Sequence, residues 1–222
     1  MSLPPEAVYG ATGLVTYFAG AIPFGWLAAR FAKGVDLRTV GSGNIGATNA
    51  ARVLGLAWFP PIFALDFLKG FAPVFWLAPW VAQRWPCPVC PSLEASLGAL
   101  CGLTAVAGHL FPIYLGFRGG KGVATAGGVV FAISPIAGAV AAAVWLAVFA
   151  VTRYVSLGSV VAAVALPVAH YFSAPASGWK GADNWIRFGL LAAMSVAVIL
   201  RHRENLGRLR RGEEPKIGAG KA

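Results

Sequence analysis

The stretch at residues 41–49 has residue types and a spacing that could bind a phosphate group. It reads GSGNIGATN, and its first six residues satisfy G-x-G-x-x-G, the fingerprint of dinucleotide-binding turns. Glycines allow the backbone to aim successive N–H groups at one point, and a helix beginning near Gly46 would add the positive end of its dipole. The stretch therefore predicts a loop that binds an oxyanion.

The composition places this loop in a membrane protein. Of the 222 residues, 58% are hydrophobic and 12% are charged, whereas soluble domains carry about 25% charged residues. The first apolar run, residues 8–31, is long enough to cross a bilayer core of about 30 Å, and it lacks the basic start of a signal peptide. Six further apolar runs follow, at residues 56–81, 93–115, 122–133, 135–152, 156–172 and 185–200.

These runs predict an all-α fold, a polytopic membrane helix bundle of seven transmembrane helices. Six is the alternative count, because the run 122–133 is short and its end rests on the turn at Ser134 and Pro135. An outside N-terminus assigns the C-terminus and most of the 18 lysines and arginines to the cytoplasm, as the positive-inside rule requires. We expect one integral membrane domain over residues 1–214, followed by a flexible C-terminal tail at 215–222.

The membrane context excludes a Rossmann turn at the glycine fingerprint. Such a turn joins a β-strand to a helix in a soluble unit, but here a membrane helix precedes the glycines, and Asp66, the candidate ribose-binding acid, lies in the next apolar run. The sequence GFRGGKG is not a Walker loop, because Leu115 stands where its first glycine should be. Asp66 and Lys69, three residues apart, instead predict a buried ion pair that supports the site.

The first of three polar clusters surrounds the glycine fingerprint. Thr48 and Arg52 are four residues apart and would share a helix face, while Ser42 and Asn44 supply donors just ahead of it. The alternative is a polar loop with an ordinary helix cap.

The second cluster, at residues 108–125, reads GHLFPIYLGFRGGKGVAT. Lys121 is the candidate phosphate ligand, because flanking glycines let the backbone approach an anion that the ammonium neutralises. Arg118 is more typical of a positive-inside anchor, and His109 of a structural hydrogen bond.

The third cluster, at residues 201–211, reads RHRENLGRLRR. A helix leaving the membrane here would present His202 and Asn205 together with Arg201 and Arg208, within about 120° of arc. A basic helix lying on anionic lipid is the alternative. All three clusters lie at the predicted cytoplasmic ends of their spans, so we expect them to converge on one pocket.

Other kinds of chemistry find little support in the sequence. There is no G-x-S-x-G elbow, and His109 lacks the aspartate five residues on that common glycerolipid acyltransferases carry. Cys87 and Cys90 predict a local disulfide or two free thiols rather than a metal site. A carrier of phosphorylated metabolites and a lipid-binding scaffold are the competing classes, and nucleic acid is a poor partner for so little soluble surface.

The three clusters together resemble a known family. GSGNIGATNAARVLG, GHLFPIYLGFRGGKGVAT and RHRENLGRLRRGEE closely resemble, in this order, the three motifs of the bacterial acyl-phosphate-dependent glycerol-3-phosphate acyltransferases. The D-x-x-K-G at residues 66–70 is similar to that family too, and the resemblance runs from about residue 8 to 214. Arg118 stands where the family commonly has lysine, and Leu206 where it has isoleucine.

The resemblance implies a multi-pass enzyme of the bacterial plasma (inner) membrane whose active site faces the cytoplasm. It implies transfer of a fatty acyl group from acyl phosphate to the sn-1 hydroxyl of glycerol 3-phosphate, which gives lysophosphatidic acid and inorganic phosphate. These two substrates and membrane lipids are the expected partners of a monomer. Neither a cofactor nor a metal is expected.

Carried over motif by motif, the resemblance implies two sets of site residues. The expected catalytic residues are Ser42, Lys121 and His202. The expected substrate-binding residues are Gly41, Gly43, Asn44, Thr48, Arg52, Gly119, Gly120 and Asn205. We expect a substrate phosphate oxygen, rather than His202, to accept the proton of the attacking hydroxyl, because surrounding cations disfavour a protonated imidazole.

Overall fold

The computed structural model describes residues 4–87, 90 and 92–216, and every regular element within those ranges is helical. The chain divides into two compact units, Met1–Ile133 and Ser134–Ala222. The single domain expected over residues 1–214 stays a prediction, and residues 217–222 of the expected tail lie outside the described residues.

In its described residues, 4–87, 90 and 92–133, the first unit contains seven α-helices and three short segments of other helical type. Two of those segments are 3-10 turns, Leu56–Trp58 and Ile113–Leu115, and the third is a π-helical segment, Pro73–Leu77. The α-helices are α1 (Pro5–Ala21), α2 (Phe24–Lys33), α3 (Ala47–Leu54), α4 (Phe59–Ala72), α5 (Ala78–Arg84), α6 (Leu93–Leu110) and α7 (Val123–Ile133).

The first predicted span contains a break between α1 and α2. Ile22 adopts φ −60° and ψ 117°, outside the helical region. The cause is Pro23, which lacks an N–H and disfavours a helical conformation at the residue before it. At the break the carbonyl oxygen of Ile22 accepts a hydrogen bond from the backbone N–H of Phe24 at 3.2 Å, and Lys69 from α4 supplies a second donor, with its Nζ 2.8 Å away.

Helix α6 is the most enclosed span of the first unit, with 56% of its most apolar window buried, against 39% for each of the other two long spans there. It packs on α1 at a spacing that only glycine allows, because a Cβ at Gly108 would overlap the carbonyl oxygen of Tyr17. Helices α4 and α7 pair in the same way, since a Cβ at Gly128 would overlap the carbonyl oxygen of Phe67.

The second unit contains four α-helices and a 3-10 segment, Ala176–Lys180. Its helices are α8 (Pro135–Thr152), α9 (Val155–Ser173), α10 (Ala182–Arg201) and α11 (Arg203–Arg210). The boundary predicted at Ser134 and Pro135 is confirmed, because α7 ends at Ile133 and α8 begins at Pro135. Helix α9 packs against α8, α10 and α11.

Six helical segments among the described residues are long and apolar enough to cross a membrane. They are Pro5–Lys33, Leu56–Arg84, Leu93–Leu115, Pro135–Thr152, Val155–Ser173 and Ala182–Arg201. The fourth predicted span corresponds to α7, which is apolar but has 11 residues. An ideal α-helix of that length is about 16 Å long, shorter than a bilayer core. The count of seven and the orientation of the termini stay predictions.

Candidate active site

The glycine-rich segment between α2 and α3 (loop 1, residues 34–46) is held in shape by the amide of Asn49. Asn49 is 1% exposed. Its Oδ1 accepts a hydrogen bond from the backbone N–H of Ser42 at 2.9 Å. Its Nδ2 donates to the carbonyl oxygens of Leu37, Val40 and Asn44 at 3.1, 3.1 and 2.8 Å. One buried side chain therefore fixes four backbone positions of the loop that was predicted to bind phosphate.

Loop 1 also requires glycine at Gly41. Its φ is +60°, in the left-handed region, and a Cβ there would overlap Oδ1 of Asn49. The backbone at Gly41 therefore lies in close contact with the side-chain amide of Asn49, which holds loop 1 in shape. The left-handed φ is the conformational freedom for which glycine was expected in this stretch.

Helix α3 begins at Ala47 directly after Gly46, which confirms the predicted helix start. Thr48 and Arg52 lie one turn apart on this helix, and the side chains of Arg52 and Ser42 are exposed. The Oδ1 of Asn44 accepts a hydrogen bond from the backbone N–H of Gly46 at 2.8 Å. Loop 1 and α3 thus present a hydroxyl and a guanidinium beside an ordered glycine turn.

The second glycine-rich segment (loop 2, residues 111–122) folds back over the end of α6. The backbone N–H of Gly120 donates to the carbonyl oxygen of His109 at 3.1 Å. A Cβ at Gly119 would overlap the carbonyl oxygens of His109 and Leu110, and a Cβ at Gly120 would overlap Nε2 of His109. These two glycines let the chain lie against His109, and Lys121 follows them, half-buried.

A buried charge cluster lies beneath loop 2. Nζ of Lys69 lies 2.7 Å from Oδ1 of Asp66, and Nδ1 of His109 lies 3.7 Å from the same oxygen. The side chains of all three residues are at most 5% exposed. The predicted buried pair between Asp66 and Lys69 is therefore confirmed. Its ammonium also reaches the carbonyl oxygen of Ile22, so one charge joins α4 to the break in the first span.

Loop 1 and loop 2 are joined by Arg38. Its Nε and Nη2 donate to both carboxylate oxygens of Asp36, with Nη2 2.6 Å from Oδ2, and its Nη1 donates to the carbonyl oxygen of Leu115 at 3.3 Å. Nε1 of Trp26 also donates to Asp36, at 3.0 Å. The side-chain hydrogen bond from Arg38 holds the pKa of Asp36 well below its usual range, so the pair is ionised at neutral pH.

In the second unit, His202 lies at the junction of α10 and α11. Helix α10 ends at Arg201 and α11 begins at Arg203, so the predicted continuous helix through the third cluster is wrong. The cause is the imidazole of His202, whose Nδ1 lies 2.7 Å from the carbonyl oxygen of Val198. In a continuous helix the backbone N–H of His202 would donate to the carbonyl oxygen of Val198. Here it donates instead to the carbonyl oxygen of Ile199, at 3.0 Å.

Asn205 and Arg208 both bind the carboxylate of Glu214, which the sequence analysis did not single out. Nδ2 of Asn205 and Oγ of Ser156 donate to Oε1 at 2.6 and 2.7 Å, and Nε of Arg208 donates to Oε2 at 2.8 Å. Burial raises the pKa of Glu214, but these three hydrogen bonds outweigh it and the net shift is downward. An ionised carboxylate thus fastens α11 to the start of α9.

The structure therefore brings together part of the predicted site. Loop 1, α3 and loop 2 belong to the first unit, where Arg38 connects the two loops. His202 and Asn205 belong to the second unit, and the convergence of all three clusters on one pocket stays a prediction. Asn49, Arg38 and Glu214 were missed. The only sequence signal for them was their position within or beside the motifs, because their partners are backbone carbonyls or residues that local spacing does not reveal.

The helices and the two glycine-rich loops define a class, a helical, polytopic membrane protein with glycine-rich loops between its apolar helices. A family model described as glycerol-3-phosphate acyltransferase matches residues 11–212. A protein named glycerol-3-phosphate acyltransferase from Synechococcus elongatus is 42% identical over 211 residues, covering 94% of each chain. Glycerol-3-phosphate acyltransferase 2 from Thermotoga maritima is 40% identical over 204 residues, covering 92% of this chain and 94% of its own.

A solved structure agrees with these relatives. The crystal structure of PlsY (YgiH), an integral membrane glycerol 3-phosphate acyltransferase, in its glycerol 3-phosphate form, is 37% identical and superposes with a TM-score of 0.79, covering 95% of this chain and 96% of PlsY. The chain belongs to the glycerol-3-phosphate acyltransferase family, as an integral membrane member with a role in lipid biosynthesis.

Proposed function

We propose that the acyl donor is an acyl phosphate and that the acceptor is the sn-1 hydroxyl of glycerol 3-phosphate. The observation that carries this proposal is the ordered glycine turn of loop 1, fixed by Asn49 and followed in α3 by the exposed cation Arg52. Glycine turns of this kind bind phosphate through backbone N–H groups and a nearby cation. An acyl phosphate carries a phosphate at the reacting carbonyl, whereas an acyl thioester does not.

The remaining roles are proposed from the resemblance of the three motifs to those of the family. Ser42, Asn44, Thr48 and the glycines Gly41 and Gly43 line the phosphate-binding floor beside Arg52. Lys121, with Gly119 and Gly120, neutralises phosphate from loop 2. His202 and Asn205 hold glycerol phosphate. Glycerol 3-phosphate and lysophosphatidic acid are the ligands named for the two forms of PlsY, which supports them as substrate and product here.

The reaction needs no nucleophile from the protein. The hydroxyl oxygen of glycerol 3-phosphate bonds to the acyl carbon, and the bond between that carbon and the phosphate oxygen breaks. The hydroxyl proton passes to a substrate phosphate oxygen, and inorganic phosphate leaves with the electron pair. The protein orients the two substrates and stabilises the charge that develops on the carbonyl oxygen.

The geometry of His202 fits a role in holding the acceptor. A carbonyl oxygen can only accept, so Nδ1 must donate to Val198, and this hydrogen bond fixes the orientation of the imidazole ring at the junction of α10 and α11. If His202 only binds, His202→Gln should raise the KM for glycerol 3-phosphate and leave most of the kcat. A loss of kcat of about 10²-fold or more with an unchanged KM would instead identify general-base catalysis.

The enzyme is further proposed to be a monomer of the bacterial plasma (inner) membrane with seven spans, an outside N-terminus and a cytoplasmic site. The asymmetry of lysine and arginine in the sequence and the positive-inside rule support this orientation. Cysteine labelling of single-cysteine variants in intact cells tests it. Position 42 should react only after the membrane is opened, and labelling of position 42 from outside would reverse the orientation.

The activity is tested with purified protein, a long-chain acyl phosphate and sn-glycerol 3-phosphate. We expect equal amounts of inorganic phosphate and 1-acyl-glycerol 3-phosphate, and no product when the matching acyl thioester replaces the acyl phosphate. Turnover with the thioester would overturn the proposed donor, and a 2-acyl product would overturn the proposed position. Movement of glycerol 3-phosphate into liposomes without turnover would support a carrier instead.

A further inference from the structure

The guanidinium of Arg38 connects the two glycine-rich loops of the first unit. Arg38 lies in loop 1, eight residues after Arg30 at the end of α2, and Leu115 lies in loop 2. The guanidinium of Arg38 bonds the carbonyl oxygen of Leu115 with Nη1 while Nε and Nη2 bind Asp36. All three nitrogens of the guanidinium thus donate hydrogen bonds to acceptors that are held in place.

The partners of Arg38 are themselves held in place. Asp36 receives hydrogen bonds from Nε1 of Trp26 on α2 and from the backbone N–H of Arg38, at 3.0 and 2.9 Å. The residues on either side of Arg38 are anchored by Asn49, which binds the carbonyls of Leu37 and Val40. Loop 1 is therefore held both by the side-chain amide of Asn49 and by the ion pair between Asp36 and Arg38.

Leu115, whose carbonyl oxygen accepts the hydrogen bond from Arg38, lies where loop 2 turns sharply. Leu115 ends a 3-10 turn, and Gly116 and Phe117 follow with φ of +61° and +63°. A non-glycine residue at positive φ costs about 1–2 kcal/mol and persists only where its surroundings hold it. The bond from Arg38 to Leu115 lies immediately before these residues, four positions ahead of Gly119.

We infer that Asp36 and Arg38 are positioning residues that set the separation of loop 1 and loop 2, and hence the affinity of the site for its phosphate-bearing substrates. The inference rests on the proposed function, since the loops are the proposed phosphate ligands. Asp36 fixes the orientation of the Arg38 guanidinium, and the hydrogen bond from Arg38 to Leu115 holds loop 2 at a set distance from loop 1. Lysine cannot replace Arg38 here, because one ammonium cannot reach a bidentate carboxylate and a carbonyl in three fixed directions.

Hydrogen exchange measured by mass spectrometry on the detergent-solubilised full chain tests the coupling without any assay of activity. Arg38→Lys and Asp36→Asn should each raise deuterium uptake in residues 34–46 and in residues 111–118 together. Glu213→Gln is the matched control, because Glu213 and Arg211 form an exposed pair at the same spacing of two residues. Uptake that rises in loop 1 alone would overturn the inference.

Steady-state kinetics of the same variants tests the effect on binding. We expect the KM for at least one of the two substrates to rise about 3- to 10-fold, with kcat within about 2-fold of wild type and an unchanged melting temperature. The double variant should lose no more than Arg38→Lys alone. Unchanged KM values, or a loss confined to kcat, would overturn the inference. Absence of turnover by the wild type would count against the proposed function, whereas the exchange result stands apart from it.

Discussion

The ammonium of Lys69 donates to the carbonyl oxygen of Ile22 at 2.8 Å, across the break between α1 and α2. The same nitrogen lies 2.7 Å from Oδ1 of Asp66, and both side chains are almost fully buried. A charge embedded in the second span therefore adds a charged donor to a carbonyl that, within the described residues, otherwise accepts only from the backbone N–H of Phe24, at 3.2 Å. Hydrogen bonds to charged groups are stronger than neutral ones, so this contact stabilises the proline break within an apolar span.

Lys69→Met should destabilise the protein by about 3–5 kcal/mol, because it removes the ammonium 2.7 Å from the buried Asp66 carboxylate and leaves only His109, at 3.7 Å, as an ionisable neighbour among the described residues. The double variant Asp66→Asn with Lys69→Met should be less destabilised, since no uncompensated charge remains. Thermal unfolding in detergent measures both. A double variant that is less stable than Lys69→Met would contradict the ion-pair explanation.

Gly41→Ala and Gly34→Ala separate steric overlap from backbone strain. Both glycines adopt left-handed φ, +60° and +68°, but a Cβ at Gly41 would overlap Asn49 whereas nothing lies within 4 Å at Gly34. Each substitution should cost about 1–2 kcal/mol from strain. Only Gly41→Ala should also displace Asn49 and reduce acyl transfer, which activity assays at equal amounts of folded protein would reveal. Equal losses of activity in both variants would argue against the role assigned to Asn49.

The carboxylate of Glu214 predicts a pH dependence of stability. Its folded-state pKa is lowered from an ordinary value of 4.5, so the charged form stabilises the fold above that value, and this contribution is lost as the pH falls through the folded-state pKa. Glu214→Gln should therefore cost about 1–3 kcal/mol at pH 7, and the difference from wild type should shrink below pH 4.5. Melting curves across this range test the prediction, and a constant difference at all pH values would contradict it.

The sequence predicted the fold where local physics decides the outcome. The apolar runs located the helices, and Pro135 and Gly46 marked a helix start because proline and glycine restrict or free the backbone in known ways. The pair of Asp66 and Lys69 was predictable because two opposite charges one helical turn apart in an apolar run have few other partners.

The parts that the sequence did not predict depend on side chains that replace backbone hydrogen bonds. Nδ1 of His202 donates to the carbonyl oxygen of Val198 and interrupts a helix that the helical spacing of the sequence would continue. In the sequence, nothing distinguishes Asn49 from other residues of a short helix. In the structure, its side-chain amide makes hydrogen bonds with four backbone groups of loop 1. Glu214 follows a basic helix and could have bound any of several arginines, so its contact with Asn205 had no unique signal in the spacing.

We propose that Lys121 in loop 2 and Arg52 in α3 bind substrate phosphate, and Lys121→Ala compared with Arg118→Ala tests this claim most directly. The two residues lie three apart in loop 2, but only Lys121 is half-buried beside the glycines packed on His109, whereas Arg118 is exposed. We predict that Lys121→Ala and Arg52→Ala lower kcat/KM for acyl transfer by about 10²-fold or more, with unchanged melting temperatures, and that Arg118→Ala lowers it by less than about 3-fold. Full activity in Lys121→Ala and Arg52→Ala, or an equal loss in Arg118→Ala, would contradict the claim.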